Sequence, residues 1–90
     1  MANEYRKLEK LIKAVANRRR LAILAYLKKE QEAAVWDIAE KITLSLKATS
    51  KHLGVLRGAD LVLSEQRSLE MFYRLAPSPH PVIDTVFKSL

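Results

Sequence analysis

The segment IAEKITLSLKATSKHLGVLRGADLVL, Ile38–Leu63, decides the fold. It opens with a short helical pattern, breaks at Thr43 and Leu44, resumes as a second helical pattern carrying lysines, and ends in an apolar, strand-like run. That order reads as a helix-turn-helix running into a β-wing. Ser45 offers a side-chain oxygen to the free amide hydrogens of a first helical turn, so the second helix is predicted over Ser45–Arg57. At about 100° per residue, Thr49, Leu53 and Leu56 cluster on one side of it, while Lys47, Ser50, Lys51, Gly54 and Gly58 lie opposite. The first set predicts a core face and the second an outward one. The helix should end between Gly58 and Asp60, where glycine or a tolerated Asp can take positive φ.

Upstream, Tyr5, Leu8, Leu11, Ile12 and Val15 recur at steps of three and four, with Arg6, Lys7, Lys10 and Lys13 elsewhere, which predicts an amphipathic helix over Glu4–Ala16. Asn17 is a good N-cap for a helix over Arg18–Lys29, whose apolar content is Leu21, Ile23, Leu24 and Leu27. A polar link, Glu30–Ala33, precedes a third helix in which Val35, Ile38, Ala39 and Ile42 keep the helical period. Downstream, LVLSEQ and LEMFYRL flank a polar tip at Arg67 and Ser68 and predict a β-hairpin. Pro77, Pro79 and Pro81 stiffen the exit, and Pro81 suits the first turn of a last helix carrying Val82, Ile83, Val86, Phe87 and Leu90. The expected fold is α+β, mostly α: a winged helix-turn-helix with a two-stranded wing, in one domain over residues 1–90.

Bulk properties fit a small folded unit. Ninety residues that are 49% hydrophobic, with only two glycines and three prolines, argue against disorder. A formal charge of +6 and a pI near 9.8 favour a polyanionic partner. The absence of cysteine excludes disulfides, thiolate metal ligands and cysteine nucleophiles. MANEYRKLEK lacks the apolar centre of a signal peptide, and the longest apolar run, Leu21–Leu27, falls far short of the ~20 residues of a membrane span, so a soluble cytoplasmic protein is expected. There is no histidine paired with a nucleophile motif and no glycine-rich phosphate loop, so catalysis is not expected and no cofactor is implied.

The element order and the local wording together resemble the ArsR family of winged-helix transcriptional repressors. The residues that carry the likeness are LIKAVANRRRLAIL (Leu11–Leu24), WDIAEKI (Trp36–Ile42), LSLKATSKHLGVLRGADLV (Leu44–Val62) and MFYRL (Met71–Leu75). Ala16, Asn17, Arg20 and Leu21 fall on the family's Ala-Asn, Arg-Leu signature, and Ser50, His52, Leu53, Val55, Leu56 and Arg57 on its recognition-helix pattern. The chain departs from the family at Arg18, which replaces a proline, at Asp60, which replaces a glycine, and at a wing tip without glycine. Metal-sensing members carry Cys-x-Cys just ahead of the Asp aligned with Asp37; here those positions are Ala34 and Trp36. The resemblance implies double-stranded DNA as partner, a homodimer through the first and last helices, and repression; it names no effector.

Site candidates follow, each beside its plainer reading. Lys47 and Lys51, four apart, can place two ammonium groups along a major groove, or can simply be solvated. Ser50 and Lys47 are the base-edge candidates, Lys51 and Arg57 could equally contact phosphates, and Ser45 is a further candidate for DNA contact; His52, which aligns with a family histidine beside the core face, is expected to make a structural hydrogen bond or a DNA contact and not to bind metal. Gly54 weakens a helix by roughly 1 kcal/mol, which calls for close approach of DNA or of a neighbouring helix. Arg18, Arg19 and Arg20 sit where the helix dipole disfavours cations, so a DNA phosphate near Arg18 or an internal carboxylate for Arg20 should compensate. Arg67 is a candidate phosphate or minor-groove contact, or an ordinary loop arginine. His80 and Asp84, four apart, are too few ligands for a metal site by themselves, although a metal-responsive repressor using them stays open, as does a winged helix that binds protein and not DNA. Trp36 should be core or interface. The apolar stripes Leu8, Leu11, Ile12, Val15 and Val82, Ile83, Val86, Phe87, Leu90 either form a dimer interface or close a monomer core.

Overall fold

The computed structural model describes residues 2–90. Helices α1 (Ala2–Val15) and α2 (Arg18–Glu30) lead into β1 (Ala33–Ala34), then α3 (Val35–Ile42) and α4 (Leu46–Gly58), the hairpin β2 (Val62–Arg67) and β3 (Glu70–Leu75), and α5 (Pro81–Lys88). Each N-terminus forms where the local chemistry directs it. Asn17 is extended at φ −158° and its side-chain oxygen accepts from the amides of Arg19 and Arg20 at 2.9 and 3.1 Å. Ser45 Oγ accepts from Ala48 N at 3.1 Å, so α4 starts at the predicted cap. α1 ends one residue before the predicted limit and α2 runs one residue beyond it, within the fraying expected of helix ends.

α4 ends in a motif that explains how the chain tolerates Asp60. Asp60 adopts φ 61°, its amide donates to Arg57 O at 3.0 Å, and Leu61 N donates to Leu56 O at 2.9 Å. This is a Schellman end, sealed by contact-forming apolar residues, Leu56 and Leu61, that are both fully buried. Asp carries the left-handed position that glycine would normally take. Thr43, at φ 57° and ψ 49°, does the same at the end of α3 and turns the chain toward α4. Among the described residues the positive-φ positions are Gln31, Thr43, Asp60 and Ser68, and neither glycine is one of them. Gly54 and Gly58 instead lie within α4.

The expected two-stranded wing is the β2–β3 hairpin, and β1 adds to its β3 edge, making a three-stranded antiparallel sheet in the order β1-β3-β2. Ala33 pairs with Tyr73 and Ala34 with Phe72. Two alanines show no periodicity, so the sequence hid this strand; it forms because the outer edge of β3 has backbone groups to satisfy. It also pins the wing to the start of α3. Ser68, at φ 57°, opens the two-residue tip Ser68–Leu69, where glycine is the usual occupant.

Ile23, Leu24, Ile38, Leu53, Leu56, Leu61 and Ile83 are fully buried and join one core beneath the helix-turn-helix. The α4 side predicted as core, Thr49, Leu53 and Leu56, is buried, with Thr49 Oγ1 lacking any hydrogen-bond partner. No described helix is long and apolar enough to cross a membrane.

Candidate nucleic-acid interface

α4 presents Lys47, Ser50 and Lys51 as an exposed row opposite its buried face, with Gly54 and Gly58 continuing that row and Arg57 exposed at its edge. Among the described residues, no carboxylate lies within 4 Å of Lys47, Lys51, Arg57 or Arg18. Ser45 is exposed too, but its hydroxyl oxygen already accepts the Ala48 amide. The arrangement is a helix with cations on one flank that have no carboxylate partner among the described residues. Such a surface suits a polyanion.

A cluster of arginines fixes that helix. Arg20 Nε donates to Ala14 O at 2.7 Å, one terminal nitrogen to Lys13 O at 3.2 Å, and the other lies 3.2 Å from His52 Nδ1. A guanidinium only donates, so Nδ1 accepts and the ring proton sits on Nε2. Burial, then the charges of Arg20 and Arg19, push the His52 pKa below its ordinary 6.5. His52 therefore bridges α4 to α2 as a neutral ring, and a DNA contact would have only its Nε2–H to use. Arg19 donates to Ile42 O at 3.3 Å. The internal carboxylate expected for Arg20 is thus corrected: Arg19 and Arg20 start α2, yet their heads cap the C-terminal carbonyls of α3 and α1, where a helix dipole favours cations. Arg18 remains exposed.

Arg67 is not a free wing-tip cation. Its two terminal nitrogens donate to Glu32 at 2.7 and 2.6 Å, a third bond reaches Glu65 at 2.9 Å, and the guanidinium stacks 4.7 Å from the Phe72 ring centroid. Hydrogen bonding to Arg67 lowers the Glu32 pKa, and hydrogen bonding to Glu32 and then Glu65 raises that of Arg67. Glu32 lies 35 residues away in sequence and carried no signal that could have revealed it. With Glu65 and Glu70 also exposed, the tip is acidic around a Leu69 that is 95% exposed. The Arg67 charge, expected to meet a phosphate or the minor groove, is matched by Glu32 and Glu65 within this protomer.

The terminal stripes divide. Leu11, Val15 and Ile83 are buried within the protomer's own core, the alternative reading of these stripes. Ile12 stays 45% exposed, and Leu8, Val82, Val86, Phe87 and Leu90 are only half-buried. Tyr5, at 65%, extends the α1 patch. Lys28 Nζ holds the end of α5 by donating to Phe87 O and Leu90 O at 2.9 and 3.2 Å. His80 caps α5, its Nδ1 accepting from Val82 N at 3.1 Å, and Asp84 is exposed one turn on. No group of three potential metal ligands occurs among the described residues. Trp36, expected in core or interface, is 59% exposed at the start of α3.

Comparison with known proteins bears on this geometry. The sequence matches the family described as "Bacterial regulatory protein, arsR family" over residues 17–64, from the α2 cap into β2. It is 39% identical over 66 residues to the transcriptional activator HlyU of Vibrio cholerae and 42% identical over 62 residues to the nodulation protein NolR of Rhizobium meliloti. These alignments cover 73% and 69% of this chain but 60% and 50% of the relatives, so the matched segment spans little more than half their length. The HlyU structure superposes with a TM-score of 0.81 at 31% identity, covering 99% of this chain and 92% of that one. A homodimeric winged helix-turn-helix DNA-binding domain, Mb0332 of Mycobacterium bovis, also gives 0.81 at 30% identity, covering 98% and 75%. The chain belongs to the arsR family of winged-helix transcriptional regulators, a family of regulators and not of enzymes.

Proposed function

We propose that this chain, acting as a single domain over residues 1–90 in the cytoplasm, is a homodimeric, sequence-specific binder of double-stranded DNA that represses the genes it occupies. α4 enters the major groove with its Lys47, Ser50 and Lys51 row toward the bases. The observation that carries this reading is that row: exposed, without carboxylate partners, on a helix fixed by Arg20 and His52. Ser50 and Lys47 are the base-edge candidates, and Lys51, Arg57 and Arg18 the phosphate candidates. Pairing through Ile12, Leu8 and the half-buried α5 residues would set two α4 helices on successive grooves, with half-sites about 34–36 Å apart. The dimeric state stated for Mb0332 supports that arrangement. The relative HlyU is named a transcriptional activator; repression is proposed here on the resemblance to the family's repressors.

Titrating duplex DNA at several salt concentrations tests the assignment. Each lost phosphate contact should lower the log–log salt slope by about 0.9. The Lys47→Ala, Lys51→Ala double variant should bind more weakly, and with a shallower slope if both lysines meet phosphate. Unchanged affinity and slope would remove α4 as the DNA-binding element. A protein-binding winged helix is the second reading, favoured by the exposure of Trp36 and Leu69; it predicts no sequence enrichment from a random DNA pool.

A further inference from the structure

α1 has three faces, and only two are accounted for. Leu11, Ala14 and Val15 enter the core, and Tyr5, Leu8 and Ile12 form the apolar patch on one flank. At about 100° per residue, Arg6, Lys10 and Lys13 fall on the opposite flank. This third face borders α4: Arg6, Lys10 and Lys13 line an open groove of about 480 Å³ with Gly54, Val55 and Gly58. A second depression of about 300 Å³ continues it past Lys7 to Asp60. Among the described residues Glu9 is the only carboxylate lining the main groove; it sits 3.8 Å from Lys13, and both side chains are largely in solvent, so that pair is weak and readily exchanged.

The glycines shape this groove. A Cβ built at either one meets nothing within 4 Å, so neither is needed for packing inside the protomer, and neither has positive φ. They lie on the Lys47–Lys51 side of α4, and their missing side chains leave the lane between that row and the α1 cations unobstructed.

We propose that this lane is a seat for the DNA backbone: α1, through Arg6, Lys10 and Lys13, holds the phosphates that flank the groove entered by α4. This rests on the reading of α4 as the DNA-binding helix. It also answers the state of the wing, whose one tip arginine is bound to Glu32 and Glu65, so that backbone anchoring passes from the wing to α1. The basic flank is opposite the apolar one, so DNA and a second protomer can be held at once.

The test is a salt titration with a mixed-sequence duplex of about 30 base pairs, close to three helical turns, comparing the parent, R6Q/K10Q/K13Q, the charge-retaining R6K/K10R/K13R, and K47Q/K51Q. Circular dichroism and sedimentation verify that each variant keeps its fold and its parental mass. The expected result is that R6Q/K10Q/K13Q lowers the slope by about 2 to 3, at roughly 0.9 per phosphate contact, while R6K/K10R/K13R keeps it. If R6Q/K10Q/K13Q retains the parental slope and affinity while K47Q/K51Q loses binding, the α1 seat is overturned and the α4 reading stands. If neither set changes binding, both are overturned. If R6Q/K10Q/K13Q changes fold or mass, phosphate-ethylation interference on the parent decides: interfering phosphates restricted to the α4 groove would overturn the seat, and additional flanking ones would support it.

Discussion

At the level of single residues, the protomer carries two features whose energetic sign can be measured. Thr49 Oγ1 is buried without a partner, and such a group costs about 1–3 kcal/mol. Thr49→Val keeps the shape and removes the orphan hydroxyl, so thermal unfolding should show a higher midpoint, by about 4–8 °C per kcal/mol in a chain of this size. His52 is the second. Its folded pKa lies below 6.5, so as pH falls the unfolded chain takes the proton first. The contribution of His52 is therefore complete above pH 6.5 and declines as pH drops from there through the lowered folded value. His52→Gln, which still offers an oxygen to Arg20, should flatten that decline in denaturant unfolding followed against pH. A parental slope in the variant would show that His52 does not carry it. Neither property was legible in the sequence: Thr49 read as part of a core face, and His52 read as a family position, but the orphan hydroxyl and the Arg20 bond depend on side-chain placement.

Among the elements, α4 was the most legible because its signals are local. The Ser45 cap, the Thr49, Leu53, Leu56 stripe and the lysine row all follow from spacing along one helix, and the structure has each. β1 and the Arg67–Glu32 clasp were not legible, because both depend on pairing between residues 35 or more apart in sequence. The glycines of α4 give a prediction with two readouts. Gly54→Ala meets no atom within 4 Å and removes a helix penalty of roughly 1 kcal/mol, so it should raise the unfolding midpoint. The same methyl group narrows the lane beside α1, so DNA affinity should fall as stability rises. Stabilisation with undiminished affinity would mean that Gly54 serves no close approach. The wing has its own test: Glu32→Gln breaks the charged clasp, and amide exchange in β1 and β3 should quicken while the helices stay protected.

For the whole molecule, the sequence conveyed the element order and the charge excess, but it left open which apolar residues of the terminal helices close the core and which face outward. A helical stripe cannot say which of its apolar residues face the protomer's own core; the structure buries Leu11, Val15 and Ile83 in that core, packs the half-buried Val82, Val86, Phe87 and Leu90 against it, and leaves Ile12 and Tyr5 exposed. Ile12→Glu is the appropriate probe, since its side chain is not needed for the core. Sedimentation should show half the parental mass with an unchanged circular dichroism spectrum, and a retained dimer would move the interface elsewhere. The central claim is that two α4 helices read DNA together. Selection of bound duplexes from a random pool tests it most directly: the account predicts enrichment of an inverted repeat with half-sites about 34–36 Å apart, or a multiple of that spacing, and a recovered pool with no enriched sequence would contradict it.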